Sequence, residues 1–220
     1  MSGSCGFLLW GGESVEYITV TVEGSGEYSE KHSRFLGFVT PCESETQAAE
    51  LIADKRKKYW DARHVVYAYV LADGTARFSD DGEPHGTAGK PVLDVLSMSG
   101  IKNAVVTVVR YFGGILLGTG GLVRAYTAAA QAALDNAGKA RTVRGNRYTV
   151  TVDYADYDKL AFLFKEFNAQ VETPDFSEKI RVDFALKSDF ADSFLEKAGK
   201  TFSSRVVPEF VENTEILEKI

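Results

Sequence analysis

Residues 108–126 read VVRYFGGILLGTGGLVRAY and decide the fold more than any other part of the chain. They overlap a β-branched apolar run, Ala104–Arg110, that predicts a central strand. A glycine-rich turn follows, and helically spaced apolar residues then predict a long helix from about Thr119 to Ala137, which Gly138 ends. Glycine-rich turns of this kind expose backbone donors, so the turn is a candidate functional element.

A second stretch rich in glycine and charge, residues 77–89, reads RFSDDGEPHGTAG and predicts a loop. Apolar residues at strand or helix spacing surround the two stretches. We expect strands at Tyr17–Val22, Phe35–Thr40 and Val65–Leu71, a break at residues 24–26, a helix after a capping box at Ser44, and a helix from Pro91 to Gly100.

The chain becomes basic and polar at residues 139–146, where we place a domain boundary. Beyond it, the apolar pattern predicts the order strand, helix, strand, strand, helix, strand, with the last strand at Ser203–Val211. That order is the ferredoxin-like split βαβ pattern. The fold class is therefore α+β in two domains, residues 1–140 and 145–220.

Composition limits the class of protein. The chain has 220 residues, 45% of them hydrophobic, and a formal net charge of -6, so a strongly basic nucleic-acid binder is not indicated. Cys5 and Cys42 have neither a disulfide framework nor metal-ligand spacing, which favours a reducing compartment. The apolar run at residues 5–10 is too short for a membrane span. We expect a cytoplasmic protein with no cofactor, no metal and no membrane partner.

The glycine turn begins the long helix, where free N–H groups attract anions. It is not a P-loop, because Thr119 stands where that motif needs lysine, and it is not a dinucleotide fingerprint, because Val123 stands where glycine or alanine is needed. Two interpretations remain open: an anion site, or glycines that only allow close strand–helix contact. The candidate anion- or ligand-binding residues are Gly118, Thr119, Gly120, Gly121, Arg110 and Arg124.

Arg110 and Arg124 flank this turn and are able to clamp a phosphate. They are equally able to pair with acidic residues of the second stretch, and we favour that internal ion pair. Since buried charges must be paired, we predict that residues 78–89 and 113–121 lie against each other.

The second stretch, residues 77–89, is called the acidic loop. It offers Asp80, Asp81, Glu83 and His85 as metal ligands or acid–base groups, but aspartate and glycine are also ordinary turn residues. The densest basic run is the nucleic-acid candidate, although basic residues in a last helical turn also complement the helix dipole. Its members are Lys55, Arg56, Lys57 and Lys58, with Arg63 just beyond.

Residues 79–91 and 110–126, taken together, resemble the IMPACT family, and the two-domain layout resembles its bacterial branch, the YigZ-type proteins. The resemblance covers about residues 15 to 215. It implies an N-terminal domain like the second domain of a small-subunit ribosomal protein and domain four of elongation factor G, and a C-terminal domain like domain five of that factor. In the family pattern serine is usual where His85 stands, and lysine is common where Leu116 stands.

For the bacterial branch the resemblance implies contact with RNA or the ribosome, and in eukaryotic relatives it implies regulation of translation through a protein partner. Our first hypothesis is a non-enzymatic, translation-associated protein that binds RNA, the ribosome or a protein. The alternatives are an enzyme acting on a phosphorylated small molecule, with the anion at Gly118–Gly121, and a pure protein-interaction module. Fold analogy alone does not choose among them.

Overall fold

The computed structural model describes residues 16–220, which divide into two compact units. The N-terminal unit is built on Tyr17–Thr142, and the C-terminal unit is built on Val143–Ile216. The run at residues 5–10 and Cys5 lie outside the described residues. None of the helices within 16–220 combines the length and the apolarity needed to cross a bilayer.

An antiparallel sheet of five strands forms the centre of the N-terminal unit, in the order β2-β3-β6-β4-β5. The strands are β2 (Gly24–Glu30), β3 (Ser33–Pro41), β4 (His64–Val70), β5 (Ala76–Ser79) and β6 (Ala104–Tyr111). The helices are α1 (Glu45–Lys58), α2 (Gly89–Met98) and α3 (Gly118–Asp135). A further strand, β1 (Tyr17–Val22), pairs antiparallel with the beginning of β7 (Gly138–Val152).

Apolar residues on the two faces of this sheet explain why it is covered on both sides. Phe35 and Val106 pack with Leu96 of α2 and Tyr126 of α3 in the larger core. The opposite face contributes Tyr69 and Val105 to a smaller cluster under α1. β6 is buried along nearly its whole length, as the continuous β-branched run predicts.

Residues 24–26 are expected to interrupt the strand pattern; β1 does end at Val22, but the segment itself is the beginning of β2. α3 packs directly on it: a Cβ atom on Gly24 would lie 2.2 Å from the carbonyl oxygen of Ala133, and one on Gly26 would lie 2.5 Å from Cβ of Ala132. The glycines therefore allow a helix to approach a strand, and they do not end one.

The C-terminal unit has the order β7-α4-β8-β9-β10-α5-β11, and four of its strands pair in the order β11-β7-β10-β8. After β7, its elements are α4 (Tyr154–Glu166), β8 (Gln170–Val171), β9 (Asp175–Phe176), β10 (Ile180–Lys187), α5 (Ser188–Thr201) and β11 (Glu209–Lys219). Its core includes Phe164, Phe184 and Phe194.

The bounds of one predicted strand need correction. The last strand begins at Glu209 instead of Ser203, because Ser203 and Ser204 have φ angles of 49° and 59°, which a strand does not adopt. The basic segment at 139–146 lies within β7, which pairs with β1 up to Thr142 and with β10 from Gly145 onward.

Candidate functional site

The glycine-rich and acidic stretches meet at an ion pair between Arg110, near the end of β6, and Glu83, in the loop between β5 and α2. Both side chains are buried. The prediction that residues 78–89 and 113–121 lie against each other is confirmed, with Glu83 as the carboxylate concerned. Arg124 does not take part in this pair, since its guanidinium lies 3.9 Å from Glu30.

Glu83 is the centre of a buried polar cluster. Its Oε1 accepts hydrogen bonds from Arg110 and from the hydroxyl of Tyr126, which is 2.8 Å away. The Nε2 atom of His64 lies 3.7 Å from the same oxygen. Burial, together with the negative charge of Glu83, raises the pKa of Tyr126 far above its ordinary value, so its hydroxyl stays protonated and donates.

Backbone atoms of the acidic loop fix the ring of His64. Its Nδ1 lies 2.7 Å from the carbonyl oxygen of Asp81, which only accepts, so Nδ1 carries the proton and donates it. Asp81 has a φ of 47°, and its carboxylate accepts from the backbone N–H of Val65 and from Arg56, both at 2.7 Å. Asp81 thus ties the loop to β4 and to the last turn of α1.

Asp80 holds the beginning of α2. Its carboxylate accepts from the backbone N–H groups of Gly86, Ala88 and Gly89 at 2.9, 3.1 and 2.8 Å. His85 is exposed, with its Nδ1 3.7 Å from the same carboxylate. The three bonds to the Asp80 carboxylate satisfy backbone N–H groups that would otherwise be free at the beginning of α2. Within residues 16–220, no group of three or more His, Cys, Asp or Glu side chains is arranged to hold a metal ion.

A cavity of about 390 Å³ opens above the cluster, within the N-terminal unit. Pocket volumes in this range are typical of small-molecule sites. Its polar floor and rim combine charged groups with the first residues of α3, and its walls are apolar. The lining residues are Arg63, His64, Glu83, Pro84, Arg110, Phe112, Leu116, Leu117, Gly118, Thr119 and Leu122.

No side chain of the described residues caps the beginning of α3 at this cavity, and the first turn of the helix contains no acidic residue. Gly118 has a φ of 72°, which glycine adopts at no steric cost. Arg124 lies beside this turn, because a Cβ atom on Gly120 would be 3.8 Å from its Nη1. Arg63 lines the same cavity. The turn therefore combines free N–H groups with nearby arginines, which favours an anion.

Arg110 retains a buried donor at the cavity. Its guanidinium carbon lies 5.4 Å from the ring centre of Phe35 and 5.5 Å from that of Phe112. Among residues 16–220, its Nε finds no hydrogen-bond partner. A buried donor without a partner costs about 1–3 kcal/mol, so a ligand group or water that reaches it is stabilised.

The basic run at the end of α1 is partly neutralised by the chain itself. Lys55 pairs with Glu23 at 3.0 Å, and its Nζ lies 3.9 Å above the Phe38 ring. Arg56 pairs with Asp81, whereas the Nζ of Lys58 lies 5.5 Å from the ring centre of Tyr59. Lys57 is exposed. The run and the glycine turn are thus linked through the acidic loop.

Sequence reasoning missed two members of the cluster, His64 and Tyr126. His64 stands opposite Arg110 in the pairing of β4 with β6, and this register has no signature in the sequence. Tyr126 lies on the apolar face of α3, where helical spacing marks it as an ordinary core residue.

Two family models match this chain. The one described as the Impact N-terminal domain matches residues 31–134, and a domain of unknown function, DUF1949, matches residues 150–204. The cavity and the Glu83 cluster lie within the first match. Together with the relatives described next, these matches show that the chain belongs to the IMPACT family, which confirms the resemblance.

Curated relatives cover most of the chain. IMPACT family member YvyE of Bacillus subtilis is 32% identical over 182 residues, which are 82% of this chain and 84% of that protein. IMPACT family member YigZ of Escherichia coli is 34% identical over 171 residues, 76% of this chain and 84% of that protein. A solved structure titled "Crystal structure of an hypothetical protein" is 29% identical with a TM-score of 0.59, covering 90% of this chain and 98% of that one.

Proposed function

We propose that this protein is a translation-associated RNA-binding protein of the cytoplasm. Protein IMPACT of Rattus norvegicus is 32% identical over 95 residues, 41% of this chain and 30% of that protein. Relationship to this translation-regulation protein suggests a translation-associated role. RNA as the partner, or the ribosome that contains it, is our inference from the chemistry of the N-terminal unit.

One observation carries the proposal: positive groups gather around the uncapped beginning of α3. Arg63 and Arg110 line the cavity that Gly118 also lines, and Arg124 lies beside the same turn. Because Glu83 balances the charge of Arg110, Arg63 and the exposed Arg124 supply the positive charge there. Exposed backbone N–H groups, arginines and a nearby aromatic ring are what single-stranded nucleic acid binds. Because the net charge is -6, only a local group of this kind attracts phosphates.

The architecture is compatible with this role. The order of the C-terminal elements and the strand order β11-β7-β10-β8 support a ferredoxin-like domain. The domain limits 1–140 and 145–220, and the likeness of the two domains to domains four and five of elongation factor G, belong to the same proposal. They add plausibility to ribosome contact by analogy of fold alone.

The test is a salt titration of single-stranded RNA binding, measured by fluorescence anisotropy. Each phosphate contact contributes about 0.7 to the slope of log affinity against log salt. Replacing Arg63 and Arg124 together by glutamine should weaken binding and reduce the slope by about 1.4. The matched control is Arg77→Gln, which removes an exposed arginine that pairs with Glu45 and does not line the cavity.

Two outcomes oppose the proposal. Absence of RNA binding by the parent protein contradicts it directly. A slope that stays unchanged in the double variant, but falls when Lys55, Arg56, Lys57 and Lys58 are all replaced by glutamine, would move the RNA site to the end of α1.

A second candidate function, an enzyme acting on a phosphorylated small molecule, is favoured by one observation. Glu83 and the Nε2 of His64 face each other across 3.7 Å at the cavity, so a carboxylate and an imidazole are available for proton transfer. Turnover of phosphorylated substrates that His64→Gln abolishes, with the fold preserved by circular dichroism, would support it.

A further inference from the structure

We propose that the cavity receives the base of one unpaired RNA nucleotide, with the adjoining phosphate at the beginning of α3. This inference rests on the proposed RNA-binding function and identifies which part of the RNA is recognised. Three observations carry it: the apolar walls of the cavity, two polar atoms of its lining residues that have no hydrogen bond among the described residues, and its position next to the beginning of α3.

Phe112 is the wall that a base would stack on. Its side chain is 46% exposed although it lines the cavity, and the guanidinium of Arg110 lies 5.5 Å from its ring centre. The ring is held by a cation near it, and it remains available to a second planar group. Leu116 and Leu122 complete apolar walls that a base fills better than a phosphate or a sugar does.

Arg110 and Glu83 both line the cavity, and each has one polar atom without a hydrogen bond among the described residues. The Nε–H of Arg110 is buried and has no partner in the part of the chain that the structure describes. The contacts that Glu83 makes with Arg110, Tyr126 and His64 all reach Oε1, so within the described residues Oε2 accepts no hydrogen bond. Every RNA base has both a donor and an acceptor on its Watson–Crick edge, and that edge is exposed only when the base is unpaired.

The cavity adjoins the beginning of α3, so one nucleotide would place its base in the cavity and its phosphate at the helix. Gly118 and Thr119 line the same cavity as Arg110, so the uncapped N–H groups of α3 stand at its rim. A phosphate there neutralises the positive end of the helix and lies near Arg63. A duplex has no unpaired base to insert, and it is expected to bind only through its phosphates.

The experiment compares three RNAs with the full chain by fluorescence anisotropy. They are a blunt duplex, the same duplex with one unpaired nucleotide at an end, and that duplex with an abasic unit in place of the unpaired nucleotide. We expect the unpaired nucleotide to raise the affinity of the parent about tenfold over the blunt duplex, because stacking of one base is worth roughly that much. The abasic duplex should bind like the blunt one.

Variants then locate the effect. Phe112→Ser should abolish the tenfold gain of the unpaired nucleotide over the blunt duplex, and Phe112→Trp should keep that gain. Trp60→Ser is the matched control, because Trp60 is 82% exposed in the same unit and does not line the cavity. The abasic comparison needs no variant, so it stays informative if Phe112→Ser disturbs folding.

Each outcome separates the inference from the proposed function. If blunt and unpaired RNAs bind the parent equally, or if the abasic duplex binds as well as the nucleotide, the base is not recognised and the inference is overturned while RNA binding stands. If no RNA binds, the proposed function itself is contradicted. A third outcome uses an apolar, acidic peptide. If this peptide binds the parent, Phe112→Ser abolishes its binding, and it does not compete with any of the RNAs, then the cavity is a peptide site and the inference is wrong.

Discussion

Tyr126 and Glu83 are 43 residues apart in the chain and are joined by a hydrogen bond of 2.8 Å between the phenolic hydroxyl and Oε1. The bond connects the middle of α3 with the acidic loop. It directs the carboxylate toward Arg110, so that a buried cation has a buried partner. Loss of one member of such a cluster exposes the others to an environment that does not solvate them.

We expect Tyr126→Phe to lower the free energy of unfolding by about 1.5–3 kcal/mol, because it removes a buried hydrogen bond to a charged acceptor. Equilibrium unfolding in urea measures this. Tyr111→Phe is the matched control, since its hydroxyl also bonds a carboxylate, that of Asp61, but at an exposed position. Equal losses in the two variants would contradict the role assigned to the buried cluster.

Tyr126 also makes stability depend on alkaline pH. Its ordinary pKa is 10.0, and burial beside Glu83 raises the pKa in the folded protein. The folded chain therefore keeps a proton that the unfolded chain releases. The contribution of this proton to the free energy of unfolding is complete below pH 10 and is lost as pH rises above it. Above that pH, the parent should lose about 1.4 kcal/mol per pH unit more than Tyr126→Phe, measured by urea unfolding from pH 8 upward. Parallel curves for the two proteins would be inconsistent with this.

Asp80 is expected to act on stability through α2. Asp80→Ala leaves three backbone donors without their acceptor and should cost about 2–4 kcal/mol. Asp94→Ala is the control, because it removes an exposed ion pair with Lys90 and should cost about 0.5 kcal/mol or less. Thermal unfolding followed by circular dichroism compares the two. A metal-binding role for Asp80 would instead appear as stabilisation of the parent by added Mg²⁺ or Ca²⁺.

Strands whose residues alternate between apolar and polar, or are continuously apolar, could be predicted from the sequence, because the pattern of burial along a strand is a local property of the chain. Tyr17–Val22 is observed with the predicted bounds. β2 could not be predicted, because Gly24 and Gly26 are required by α3, which packs on them from more than a hundred residues away in the chain. A single sequence does not distinguish a glycine that allows a close helix–strand contact from a glycine that forms a turn.

Part of the candidate site could also be predicted from the sequence. The pairing of the two loops followed from the density of opposite charges, and it is observed between Arg110 and Glu83. The partners of the basic run depend on tertiary contacts, so the sequence did not show that Lys55 faces Glu23 or that Arg56 faces Asp81.

The C-terminal unit is expected to fold alone. Its core, built from the last part of β7, α4, β10 and α5, lies within 148–206. A fragment of Val143–Ile216 should unfold cooperatively in urea, with the near-ultraviolet circular dichroism of packed aromatic rings such as Phe164 and Phe194. A gradual transition without aromatic signal, while the full chain unfolds cooperatively, would show that the unit depends on the rest of the protein.

Leu116→Lys is predicted to strengthen RNA binding. Leu116 is 81% exposed and lines the cavity beside the beginning of α3, so a lysine there adds a mobile positive charge near the proposed phosphate position without burying it. We expect affinity for single-stranded RNA to rise severalfold at low salt and the slope of log affinity against log salt to increase by about 0.7, since one more phosphate is contacted. Met98→Lys is the control, because Met98 is 89% exposed in the same unit but does not line the cavity. Equal gains in both variants would mean that net charge alone governs binding, and the cavity rim would then have no special part in it.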